Sequence, residues 1–153
     1  MDLRLEVVIL AVTDVDKARQ FYETGLGCRL DADVAAPGGG FRLVQVTPPG
    51  SGCSIVFGEG ITTAKPAGGG SLMLVVDDLA AAREELVSRG VEVSELFHAK
   101  GGGPGAGFHP GTAARAPGPD PDGHSYATFA SFSDPDGNPW LLQEITERLP
   151  GRV

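Results

Sequence analysis

Val12-Thr13-Asp14-Val15-Asp16-Lys17-Ala18-Arg19-Gln20-Phe21-Tyr22 reads as the end of a strand running into an amphipathic helix. Asp14 is suited to cap that helix, because its carboxylate accepts one of the orphan amide hydrogens of the first turn. Val15, Ala18, Phe21 and Tyr22 fall at helical spacing, and Gly25 or Gly27 ends the helix. The chain contains a degenerate copy of this unit. Sliding the sequence by 64 residues lays Leu10–Arg19 on Leu74–Arg83, and Leu, Val, Asp, Ala and Arg recur at matching places. Each copy joins a strand to a helix, so the chain reads as two modules of similar build.

Working outward, the first module covers residues 3–58, with a strand around 3–13, the helix, and strands near 28–34, 41–47 and 53–58. Pro37-Gly38-Gly39-Gly40 and Pro48-Pro49-Gly50-Ser51-Gly52 supply the turns between them. The second module covers 70–145: a strand near 70–76, a helix over 79–89 capped by Asp78, and strands at 91–95, 126–132 and 139–145. Strand–helix–strand–strand–strand, twice, is an α+β pattern within one domain of 153 residues.

Near the end of the chain, Phe132-Ser133-Asp134-Pro135-Asp136-Gly137-Asn138-Pro139-Trp140-Leu141-Leu142-Gln143-Glu144 is a turn feeding an apolar strand. With the opening stretch, in this order and about one domain apart, it resembles the glyoxalase / bleomycin-resistance / extradiol-dioxygenase superfamily, also called vicinal oxygen chelate. The resemblance covers nearly the whole chain. It implies that the two βαβββ modules form a half-open, barrel-like cup that holds the substrate, and that two copies pair as a homodimer.

Metal-dependent members of that superfamily carry a ligand on the first strand of each module, about seven residues before the strand-end Asp. Here those places hold Val7 and Ser71. A further ligand is a Glu three residues after the Asn of the Asp-Gly-Asn turn, where this chain has Leu141. The first module's last strand, Cys53-Ser54-Ile55-Val56-Phe57, offers neither carboxylate nor imidazole. Valine and leucine have no lone pairs to donate, and serine is a poor ligand for a divalent ion. The expectation is therefore no metal and no cofactor. Glu144 and Glu6 are the nearest carboxylates, and both have the wrong strand parity to replace the missing ligands.

By strand alternation, Val7, Ile9 and Ala11 face the cup, as do their repeat partners Ser71, Met73 and Val75. Gln45, Phe57, Leu141 and Gln143 are the remaining candidate wall residues. All three histidines fall in one segment, the long loop 97–126, placed as a lid would be. One reading makes His98 and His109 general acid/base groups or new metal ligands, with Arg115 pairing an anionic group. The other makes these residues decoration of an exposed loop, which is the expectation for His124.

Composition sets the outer bounds. A net charge of −8 leaves nothing basic to neutralise phosphates, so nucleic acid is not expected as a partner. Met1-Asp2-Leu3-Arg4-Leu5-Glu6 has no signal-peptide character, and no apolar run reaches the roughly 20 residues that span a bilayer. The two cysteines, Cys28 and Cys53, make no disulfide framework, and a cytoplasmic protein is expected. The function expected is metal-free binding of a small organic molecule in an apolar cup. The alternative is a glyoxalase-like lyase, isomerase or dioxygenase that recruits its loop histidines as acid/base groups or metal ligands.

Overall fold

The computed structural model describes residues 1–2, 4–102, 108–109 and 111–151. The chain divides into two compact units. Unit 1 comprises Met1–Gly70 together with Ser133–Asn138, and unit 2 comprises Ser71–Phe132 together with Pro139–Val153.

Unit 1 holds β1 (Val7–Ile9), α1 (Val15–Gln20), β2 (Arg29–Ala35), β3 (Arg42–Thr47) and β4 (Ser54–Glu59). Its sheet has the order β1-β4-β3-β2, with β1 parallel to β4 and the other neighbours antiparallel. Asp14 caps α1 as expected, its carboxylate accepting from the Lys17 amide at 3.0 Å. The helix then changes pitch: Phe21–Gly25 continues it as a π-helical turn, and Gly27 follows at a φ of 70°. The wider turn leaves Tyr22 fully buried against Phe57, with ring centroids 5.4 Å apart. Ala18, Val44, Val46 and Ile55 complete this side of the sheet. The first strand is shorter than the expected 3–13, because only Val7–Ile9 find ladder partners on β4.

The Asp-Pro-Asp-Gly-Asn turn is a polar clasp within unit 1. Asp134 accepts from the amides of Asp136 and Asn138, both at 2.9 Å, and from the Tyr22 hydroxyl at 2.7 Å. Asn138 donates to the Ala11 carbonyl at 3.0 Å and accepts from the Ala67 amide at 2.9 Å. Among the described residues, no buried side-chain polar atom of this turn lacks a partner, which is what makes burying it tolerable.

Unit 2 holds β5 (Leu72–Val76), α2 (Leu79–Ser88), β6 (Phe97–Ala99), β7 (Arg115–Pro117), β8 (Phe129–Ser133) and β9 (Pro139–Glu144), in the sheet order β5-β9-β8-β6-β7. As in unit 1, the first strand pairs parallel with the last, here β5 with β9. Asp78 caps α2 by accepting from Ala81 at 2.9 Å. Two expectations are corrected. Residues 91–95 form no ladder strand, although Val91 and Val93 are buried; the third strand lies instead at 97–99. The segment 97–126 is not all loop, since β7 pairs antiparallel with β6 inside it and forms the sheet edge. Pro117 is tolerated there because an edge strand can lack one donor. Two mixed sheets with two α-helices among the described residues make an α+β fold.

Candidate functional site

Each sheet has one face against its helix and one face turned away. In unit 1, Val44, Val46 and Phe57 occupy the helix side with Tyr22. An ion network lies on the same side: Asp33 receives Arg19 at 2.7 Å and Arg42 at 2.8 Å, and Arg42 also reaches Asp16 at 2.8 Å. The Arg42 and Arg19 guanidinium groups hold the Asp33 carboxyl below its usual range, against the opposing effect of burial. Strand parity places Val7, Ile9, Gln45, Thr47, Ser54 and Val56 on the other face. Phe57, expected among the wall residues, is on the helix side and fully buried.

That second face of unit 1 is half apolar and half polar. Ile9 is 53% exposed. Beside it runs a hydrogen-bonded row: Thr47 donates to Asp31, and Ser54 shares a 2.7 Å bond with the Thr47 hydroxyl. Since the Thr47 proton goes to Asp31, the proton of that second bond comes from Ser54. The Thr47 hydroxyl, and then Arg29, hold the Asp31 carboxyl low. Val7 pairs directly with Ser54. A cavity of about 460 Å³ opens at the end of β1, lined by Thr13, Asp14, Asp16, Arg42, Glu59 and neighbouring residues. Of its lining residues only Ala11 was among those expected to face the cup.

In unit 2, Trp140, Leu142 and Glu144 alternate to the α2 side. Glu144 accepts from the Leu79 amide at 2.9 Å, so this carboxylate serves the start of α2, in keeping with its parity. On the opposite face, Met73 pairs with Leu141 and Val75 with Gln143. Leu141 belongs to a buried apolar cluster with Phe97, Ala99 and Phe129. Arg115 lies over this cluster, its guanidinium carbon 4.0 Å from the Phe97 ring centroid. One of its nitrogens donates to the Ser131 hydroxyl at 3.2 Å, while Nε is buried without a hydrogen-bond partner among the described residues. Met73 is 39% exposed, whereas Gln143 is buried and donates to the Tyr126 carbonyl at 2.8 Å. Ser71 is exposed immediately before β5.

Unit 2 thus gathers Met73, Arg115, Leu141 and Gln143 on one face, with Phe97, Phe129 and Ser131, which sequence reasoning did not single out. The alternation in Phe129-Ala130-Ser131-Phe132-Ser133 was the available signal for two of them. The histidines stand elsewhere. His98 points to the opposite face from Phe97 and Ala99, with Nδ1 2.8 Å from the Gly118 carbonyl oxygen. His109 is exposed, next to exposed Phe108, and its neighbours 103–107 and 110 lie outside the described residues. His124 bonds Asp120 through Nδ1 at 2.9 Å and through its backbone amide at 2.8 Å, which lowers the Asp120 carboxyl. Asp120, Asp122 and His124 bring ligand atoms within 4.8 Å of one another. Hydrogen bonds from His124 and from the Gly123 amide to Asp120 form a turn around that buried residue, and exposed Asp122 lies within the same turn. No helix among the described residues is long and apolar enough to cross a membrane.

Comparison with known proteins adds the following. The family model described as Glyoxalase/Bleomycin resistance protein/Dioxygenase superfamily matches residues 4–142. No curated protein matches the sequence. Among solved structures, the chain is similar to TnmS3, an antibiotic binding protein from Streptomyces sp. CB03234, with 28% identity and a TM-score of 0.63. That match covers 94% of this chain and 97% of TnmS3. A glyoxalase/bleomycin resistance protein from the same organism is 30% identical with a TM-score of 0.60, covering 92% of this chain and 100% of that one. A superfamily member from Sphaerobacter thermophilus DSM 20745 gives 26% identity and a TM-score of 0.65, covering 94% and 98%.

Proposed function

The chain belongs to the Glyoxalase/Bleomycin resistance protein/Dioxygenase superfamily, and from that premise we propose that it is a small-molecule-binding protein holding an organic ligand without a metal ion. The observation that carries the reading is the face of the unit 2 sheet turned away from α2. Exposed Met73 and half-buried Val75 and Arg115 stand there over a buried layer of Phe97, Phe129 and Leu141. An apolar wall with a few placed polar groups is the usual make-up of a site for an organic ligand. In unit 1, Val7 and Ile9 beside the Thr47–Ser54 row supply a similar mixture. Ser71, Gln45 and Gln143 are retained as wall residues in this reading.

The places where metal-dependent relatives carry ligands hold Val7, Ser71 and Leu141. Two hydrocarbon side chains and one hydroxyl do not fit a divalent ion, and no step is derived through one. A relative whose printed description is an antibiotic binding protein supports binding rather than turnover. The same reading places the protein in the cytoplasm as a homodimer, for which family habit is the support. Light scattering on the eluting protein tests the second point, with a single-chain mass contradicting it.

Calorimetric titration with the neutral aromatic probe naphthalene-2-carboxamide, before and after dialysis against EDTA, tests the proposal. Saturable binding with an unchanged Kd is expected. Binding that appears only when Zn, Ni, Fe or Mn is restored, or one metal per chain surviving dialysis, would overturn the metal-free part.

A further inference from the structure

Resting on the binding function proposed above, we propose that the ligand is an organic anion, and that Arg115 receives its carboxylate or comparable acidic oxygen pair. Exposed Arg4 and Arg148 have no ion pair among the described residues, whereas five other arginines are paired. Arg19, Arg29, Arg42, Arg83 and Arg89 each have a carboxylate within 2.5–2.9 Å. Arg115 has none among the described residues. It stands on the apolar side of the unit 2 sheet, held by Phe97 beneath its plane and by one 3.2 Å bond to Ser131.

A guanidinium carries five N–H donors in a rigid fork. Arg115 uses one of them weakly and leaves buried Nε without an acceptor. A buried donor without an acceptor is a cost that a structure normally avoids. The chain has 20 acidic residues and a net charge of −8, yet among the described residues none forms an ion pair with this group. The guanidinium carbon sits 4.0 Å from the Phe97 ring centroid, and Ser131 holds one of its nitrogens. Arg115 is half-buried with Nε covered, so the outer Nη nitrogens are where a ligand carboxylate would be received. Met73 and Val75, on the same face, would meet the apolar body of the molecule.

A matched pair of aromatic probes tests the inference: naphthalene-2-carboxylate and its neutral carboxamide, titrated calorimetrically into the full chain at pH 7. The parent protein is expected to bind the acid about ten- to hundredfold more tightly than the amide, the range of a charge-assisted hydrogen bond. Arg115→Gln should bring the ratio of acid to amide affinity to about one, whatever it does to the affinity for the amide itself, because the charge that distinguishes the two probes is gone. Arg115→Lys should retain part of the preference, since a point charge replaces the fork. Equal binding of acid and amide by the parent, or a preference that survives in Arg115→Gln, overturns this inference and leaves the binding function standing. Binding of neither probe overturns both. The comparison within the parent protein stands even where a variant fails to fold.

Discussion

The hydroxyl of Tyr22 donates a 2.7 Å hydrogen bond to Oδ2 of Asp134, joining two buried groups 112 residues apart in the chain. The same oxygen receives Asn138 Nδ2 at 2.7 Å, and Asn138 reaches on to the Ala11 carbonyl. Tyr22 itself is placed by the π-helical turn after α1, so a local change of helix pitch sets a contact across most of the chain.

Removing that hydroxyl should be costly. Tyr22→Phe is expected to lower stability by about 1–2 kcal/mol, the usual worth of a hydrogen bond to a charged group less partial compensation by Asn138. Asp134→Ala loses all four bonds at once and should cost more, about 3 kcal/mol. Urea unfolding of both variants checks the order. An Asp134→Ala protein as stable as the parent would show that the clasp contributes nothing.

The ion network around Asp33 makes stability depend on acid. Its folded-state pKa is depressed, so the stability it contributes is present above the ordinary carboxylate pKa and is lost as pH falls through the folded value. Because its side chain is 20% exposed and the network is partly solvated, the effect should be modest. Asp33→Asn should be less stable than the parent at pH 7, and the gap should close as pH falls below about 4. Denaturation midpoints from pH 7 to pH 3 give the measurement, and a gap that widens in acid would contradict the assignment.

Much of the fold was legible because its signals are local. Asp14 and Asp78 cap helices where expected, and the repeat offset of 64 placed equivalent strands, β1 and β5, each parallel to the last strand of its sheet. What failed depended on partners distant in sequence. Val91-Glu92-Val93-Ser94-Glu95 alternates as a strand should, and Val91 and Val93 are indeed buried, yet the ladder forms one step later at Phe97. The β7 strand, Arg115-Ala116-Pro117, sits between glycines and prolines with no strand pattern of its own, and only pairing with β6 creates it. In the site, alternation put Met73 and Leu141 on one face correctly. It could not say that Phe57 turns inward to Tyr22, nor that Asp31, at an irregularity in β2, would join Thr47. The clasp at Asp134 read only as a turn, because its acceptors and donors lie elsewhere in the chain.

The two thiols should differ sharply in reactivity. Burial, and then the charge of Asp31, pushes the Cys28 thiol up to about 12. A thiol is nucleophilic only as thiolate, so Cys28 should be inert at pH 8. Cys53 is only half-buried and should react first. A disulfide reagent is expected to label one thiol in the native protein and two in denaturant. Rapid labelling of Cys28 in native protein would contradict its burial.

The central claim, an organic ligand held on the unit 2 face without metal, is tested most directly through Met73. The chain has two methionines, Met1 and Met73, so methyl-labelled protein gives two resolvable signals with the exposed N-terminal one as internal control. Titration with naphthalene-2-carboxylate in EDTA should move the Met73 methyl saturably, on the same curve as calorimetric binding, and leave Met1 in place. Saturable binding that leaves Met73 unmoved, or a Met73 shift that requires added metal, would contradict the account.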